Sequence, residues 1–168
     1  MLVGIVEKSS PHSRDNVASD AAIAAALVHD LGHGPFSHAF EDALKKIGEG
    51  RRHETRTVEI LKLPEIGDAL NSLRPGFAKF VSNIISREDP SSMYDAIVSS
   101  QFDADRLDYM RRDRLMSGTQ HSAIDFSWLL ANLRVRRVKT GQDEVGIGEV
   151  ETLVVENKGL LAAETYVL

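Results

Sequence analysis

The stretch AAIAAALVHDLGHGPFSH, residues 21–38, constrains this chain more than any other. Its first part is nearly all alanine, isoleucine, leucine and valine, without glycine or proline, and reads as a helix packed among others. Asp15 or Asn16 offers an N-cap and Gly32 a stop, which predicts a buried helix over about 16–30. The end of that helix carries His29 and Asp30, and His33 and His38 follow around a Gly32-x-Gly34-Pro35 turn. Adjacent helical side chains diverge by roughly 100°, yet just beyond a last turn His29 and Asp30 can converge on one ion. Gly32 and Gly34 permit a sharp turn and Pro35 restarts a helix, bringing His33 and His38 back beside the same spot. One histidine near a helix end is commonly a cap or a surface residue. Three of them, with an adjacent acid on such a turn, point to chemistry.

The chain has no cysteine, so any metal must be held by histidine and carboxylate, and disulfides and thiol catalysis are excluded. A mixed N/O set from His29 and Asp30 suits Mn, Fe, Zn, Ni or Mg, without selecting among them. At 168 residues with 42% hydrophobic content, one globular domain over 1–168 is expected. The longest apolar run, Ala21 to Val28, is far below the roughly 18 to 20 residues of a membrane span, and the first residues lack the pattern of an export signal. The expectation is a cytoplasmic protein without membrane contact. A net charge of −5, from 20 lysines and arginines against 25 aspartates and glutamates, argues against an extensive nucleic-acid surface.

Helical spacing continues downstream. PFSHAFEDALKKIG sets Phe36, Ala39, Phe40, Ala43, Leu44 and Ile47 three and four residues apart, predicting an amphipathic helix from Pro35. HETRTVEILKL continues in helical style until Pro64, and GFAKFVSNIIS, SSMYDAIVSS and FDADRLDYMRRDRL follow as further helices. From Leu133 the pattern changes to LRVRRVKT and EVGIGEVETLVVEN, predicting two or three short strands, a β-containing appendage over 133–157. KGLLAAETYVL starts another helix and shows no stop before Leu168. The fold expected is mostly α, a helical bundle with a small β appendage in the C-terminal third.

HDLGHGPFSH resembles the signature of the HD-domain metal-dependent phosphohydrolases, and within them the branch of the deoxynucleoside triphosphate triphosphohydrolases. RRHET, residues 51–55, is similar to the family's histidine-glutamate element, and FDADRLDYMRRD, residues 102–113, to the segment with its distal metal-binding aspartate. The likeness runs from about Ala21 to Gly118 and more weakly beyond. It implies an HD-domain bundle, a divalent ion on His29, Asp30 and Asp105, and hydrolysis of dNTP to deoxynucleoside and triphosphate.

Further roles are implied residue by residue. His33 matches the histidine nearest the scissile phosphate, and His38 or His53 would protonate the leaving oxygen, with Glu54 orienting the imidazole. Arg106 would neutralise phosphate, and Tyr109 and Asp113 would recognise the sugar. The residues alone agree in part, since Asp105, Tyr109 and Asp113 recur every four positions and share one helix face.

HD domains normally use a further metal-binding histidine well upstream. Only His12 lies upstream here, roughly 25 Å from His29 if a helix of 1.5 Å rise per residue separates them, too far to share one ion. A chain shortened at both ends relative to full family members, and a homo-oligomer, are the expectations. The competing reading is a catalytically impaired module with a regulatory or nucleotide-binding role; a phosphodiesterase or nucleotidase is the alternative within the enzyme class.

Overall fold

The structure, a computed structural model, describes residues 2–9, 15–87, 91–118, 124–140 and 148–167. In chain order the helices are α1 (Leu2–Ser9), α2 (Asn16–Val28), α3 (His38–Lys46), α4 (His53–Ile60), α5 (Pro64–Leu73) and α6 (Phe77–Ile85). Then come α7 (Met93–Ala96), α8 (Ala104–Ser117), α9 (Phe126–Asn132), strands β1 (Leu133–Thr140) and β2 (Gly148–Val155), and α10 (Leu160–Val167). Among the described residues the fold is mostly helical with one small sheet, as the sequence predicts. No helix among the described residues is long and apolar enough to cross a membrane. His12 and His121 lie outside the described residues.

Two compact units form, Asp20–Glu88 and Met1–Ser19 with Asp89–Leu168. In the first, α2 buries the small side chains Ala21, Ala22 and Ala25 but leaves Ile23 57% and Leu27 84% exposed. The helix is therefore one-sided, where composition alone suggests burial all round. It also ends at Val28 rather than near residue 30. His29–Gly32 tighten into a 3-10 turn, closed by the His33 N–H donating to the Asp30 carbonyl at 3.0 Å.

That 3-10 turn packs backbone to backbone on α4. Thr57, fully buried in α4, donates its hydroxyl to the His29 carbonyl at 2.7 Å and accepts from the Gly32 N–H at 2.9 Å. A Cβ on Gly32 would overlap the His53 carbonyl oxygen, so glycine here is a requirement of close approach. Pro64 opens α5 rather than interrupting a helix, because its missing N–H is costless at the first helical position. Gly76, with φ of 75°, turns the chain into α6, which buries Phe77, Ala78, Val81, Ile84 and Ile85.

α3 departs from its expected start and its expected face. It begins at His38, after a turn in which Phe36 and Ser37 take positive φ of 64° and 49°, a conformation that costs non-glycine residues about 1 kcal/mol or more each. Phe36 is 89% and Ile47 71% exposed, whereas Glu41 is the buried residue of the helix.

In the second unit, β1 and β2 pair antiparallel from Leu133↔Val155 to Thr140↔Gly148. The Val135 N–H donates to Ser9 Oγ of α1 at 2.9 Å. Leu107, Ile124, Leu129, Ala162, Ala163 and Tyr166 form a buried apolar cluster joining α8, α9 and α10. Asp103 caps α8, accepting from the Arg106 N–H at 2.6 Å.

Candidate active site

The first unit concentrates histidine and carboxylate at the junction of α2, the 3-10 turn, α3 and α4. His29 Nδ1 lies 3.0 Å from the Ala26 carbonyl, which can only accept, so Nδ1 carries the hydrogen and Nε2 holds the lone pair when the ring is neutral. Nε2 stands 3.2 Å from Asp30 Oδ1. Two acceptors at that distance repel unless a proton or a cation joins them. A backbone carbonyl that fixes the tautomer of a histidine beside a carboxylate is the usual support of a metal-binding imidazole. The donor set thus fits a divalent cation.

His33 Nε2 also faces Asp30 Oδ1, at 3.3 Å, and its buried Nδ1 has no hydrogen-bond partner. Its ring stacks on His53, with centroids 3.8 Å apart and planes at 17°, and meets His38 edge-on at 5.0 Å. One nitrogen from each of His33, His38 and His53 lies within 4.8 Å of the others. Parallel stacking keeps the His33 and His53 lone pairs in separate planes, however, so these two rings cannot share one ion as they stand. The three histidines form a face suited to holding phosphate and moving protons.

Glu41 organises that face. Its Oε1 accepts the His53 backbone N–H at 2.7 Å and the His53 Nδ1–H at 3.0 Å, and its Oε2 lies 3.7 Å from His38 Nδ1. The first contact satisfies an otherwise unpaired N–H at the start of α4, and the second leaves His53 Nε2 to face outward. Sequence reasoning assigns the orienting role to Glu54. The structure gives the hydrogen bond to Glu41, while Glu54 Oε2 stands 3.5 Å from His53 Nδ1 and its carboxylate is held by Arg52 at 2.7 Å. The signal for Glu41 was its place three residues after His38, the spacing at which helical side chains meet. Thr57 was missed as well, and no local pattern marks it.

Burial raises the Glu41 carboxyl, but hydrogen bonds from His53 and the charge of its ring outweigh it and bring the group below its ordinary range. For His33, burial first and then neighbouring His53 lower the imidazole, Asp30 partly opposing. Glu54 is also lowered, burial opposing and the Arg52 guanidinium prevailing. Linkage fixes the signs. Between its folded and unfolded values His33 binds more proton in the unfolded chain, so its contribution is complete above pH 6.5 and fades as pH falls from there. The contribution of Glu41 is complete above its unfolded value of 4.5 and is lost as pH falls through the lower folded one. Thermal unfolding should therefore show stability declining on acidification in two stages, and Glu41→Gln should shrink the lower one, to which Glu54 also contributes. A profile flat between pH 7 and the carboxylate range would contradict the His33 assignment.

The remaining candidates lie in the other unit, on α8. Asp105 occupies its first turn, Tyr109 and Asp113 follow at four-residue spacing on the same side, and Arg106 sits beside Asp105. Tyr109 is 40% exposed. The Arg112 guanidinium pairs with Asp108 at 2.7 Å along the helix, a solvated ion pair of little energetic weight.

Comparison with known proteins gives a consistent result. The model of the HD domain family matches residues 3–113. YwfO of Bacillus subtilis (strain 168) is 32% identical over 167 residues, which cover 99% of this chain and 34% of that protein. The deoxynucleoside triphosphate triphosphohydrolase SAMHD1 homolog of Dictyostelium discoideum is 32% identical over 63% of this chain and 22% of its own length. The crystal structure of a phosphohydrolase from Bacteroides thetaiotaomicron VPI-5482 superposes with a TM-score of 0.65 at 27% identity, over 98% of this chain and 36% of that one. The chain thus spans about a third or less of the length of these relatives.

Proposed function

Given that the chain belongs to the HD domain family, we propose that it is a metal-dependent phosphohydrolase of nucleotides, cleaving dNTPs to deoxynucleoside and inorganic triphosphate. The observation that carries the reading is the buried Glu41 carboxylate bonded to His53 next to the His29–Asp30 pair, an oriented acid–base group beside a metal-binding donor set. The triphosphohydrolase named among the relatives supports the choice of dNTP.

By the family resemblance, His29, Asp30 and Asp105 would hold the ion. A divalent cation there supplies polarisation of a phosphoryl oxygen and water acidified towards neutral pH. The protein's own groups account for the rest. Glu41 holds His53 Nδ1–H, so the proton needed by the departing nucleoside oxygen is delivered from Nε2 of His53, or from the exposed ring of His38. His33 would stand nearest the scissile phosphate, and burial and the neighbouring His53 disfavour a positive charge on its ring. Arg106 neutralises phosphate, and Tyr109 and Asp113 hold the sugar. Attack at the α-phosphorus breaks the bond to the nucleoside oxygen and leaves the triphosphate intact.

The test is product analysis. Purified protein supplied with Mn is incubated with each dNTP and with a phosphodiester, and the products are separated by ion exchange. Deoxynucleoside and triphosphate in equal amounts are expected from dNTPs. Release of monophosphate, or cleavage of the diester alone, would move the substrate class; nucleotide binding without turnover in metal-loaded protein would leave a binding module instead.

A further inference from the structure

His33 belongs to the histidine face and also lines a groove of about 560 Å³ within the Asp20–Glu88 unit. The other walls of that groove include the apolar side chains Leu31, Phe40, Leu44 and Ile60. This size, with an apolar and aromatic lining and a few polar groups, is what a small organic ligand requires. The Phe40 ring is set against the turn that carries His33, since a Cβ on Gly34 would overlap it. Over the ring stands the Arg56 guanidinium, 6.0 Å from the ring centroid. That is the outer limit of a cation–π contact, and no carboxylate pairs with Arg56 among the described residues, so the group is free to turn towards a ligand. The charges along the groove balance: Arg51 pairs with Glu59 at 3.2 Å, and Glu49 matches Arg56 in number.

We propose that this groove is a base subsite: the flat heteroaromatic base of a nucleotide lies against Phe40 and Arg56 while the phosphate nearest the sugar meets His33. The inference rests on the reading of the site as one for dNTPs. That reaction breaks the bond between the α-phosphorus and the nucleoside oxygen, so what adjoins the phosphate at His33 is either the nucleoside or the β-phosphate. The chemistry of the groove selects the nucleoside. Glu49 and Glu59 repel the anionic β- and γ-phosphates, whereas an apolar, charge-balanced wall with an aromatic ring accepts a neutral base. Every base has a π-face to stack on Phe40, and the Arg56 guanidinium adds a cation–π contact and donors for the acceptors on the base edge.

The experiment reads the two ends of the site separately, with probes that do not turn over. Fluorescence of 2-aminopurine deoxyriboside, which falls when the base stacks, reports on the groove. Tripolyphosphate, titrated by calorimetry at one fixed concentration of Mn, reports on the phosphate side. Wild type, Phe40→Leu and Arg56→Gln are compared, each with its thermal unfolding. Quenching in wild type is expected, with nucleoside affinity weakened about tenfold in Phe40→Leu, the scale of base stacking on an aromatic ring, and about threefold in Arg56→Gln. Tripolyphosphate affinity should change less than about twofold in both. If Phe40→Leu loses its fold, Arg56→Gln decides alone. Wild-type nucleoside affinity in the folded variants overturns the base subsite, as does wild type that binds tripolyphosphate and no nucleoside; the phosphohydrolase reading survives either result. Equal losses for both probes in a folded variant also overturn the subsite, because the substitution then disturbs the whole site. Wild type that binds neither probe overturns the dNTP reading itself, and the subsite with it.

Discussion

Gly32→Ala should destabilise the Asp20–Glu88 unit by about 3 kcal/mol or more, a large share of the roughly 5 to 15 kcal/mol that holds a domain together. The added methyl collides with the His53 carbonyl and with Thr57, backbone and hydroxyl that cannot yield as a flexible side chain would. Relief requires the 3-10 turn to lift off α4. Lifting it also breaks the two Thr57 hydrogen bonds and carries His29 and Asp30 away from the histidine face. Chemical denaturation monitored by circular dichroism should show the loss, and metal affinity should fall with it. Wild-type stability in Gly32→Ala would mean that the turn is not seated on α4 as described. Thr57→Val, which keeps the shape but removes the hydroxyl, should show a milder form of the same defect.

Asp30→Asn should lower turnover at least about a hundredfold, since losing a partner that merely supports a ligand already costs roughly 10 to 100-fold. Asparagine preserves volume, and Asp30 is half exposed, so folding should be retained. Two consequences converge. The oxygen that faces both His29 and His33 loses its charge, and His33 Nε2 loses the charged neighbour that faces it. Steady-state kinetics at saturating metal would separate them, because excess ion rescues weak binding but not a disordered His33. Full activity in Asp30→Asn would remove the residue from the site.

The local part of this design was readable from the chain. A run of small helix formers ending in His29–Asp30, with two glycines and a proline in the next five residues, specifies a helix, a tight turn and a histidine cluster within ten positions, where short-range sterics decide the outcome. The strands at 133–140 and 148–155 were readable for a similar reason, the switch from alanine to valine.

What escaped the sequence is what tertiary contact decides. The spacing of Phe36, Phe40 and Ile47 promises an apolar buried face, yet α3 turns Glu41 inwards, because a partner twelve residues away, His53, offers that carboxylate both a backbone and a ring N–H. A buried acid reads as a surface residue until its partner is in place. The same holds for Thr57, a middling helix former whose value lies in bridging α4 to the turn, and for the end of α2, which the close approach of Gly32 tightens into a 3-10 turn before the helix would otherwise stop.

The central claim, that His29 and Asp30 hold a divalent ion beside a Glu41-oriented acid–base histidine, is tested most directly by metal content. Wild type, His29→Ala, Asp30→Asn and His53→Gln, each equilibrated with Mn and desalted, are analysed by elemental mass spectrometry with folding checked in parallel. Stoichiometric metal in wild type and in His53→Gln, and its loss in folded His29→Ala and Asp30→Asn, is the predicted result. Metal retained in full by both of those variants would contradict it.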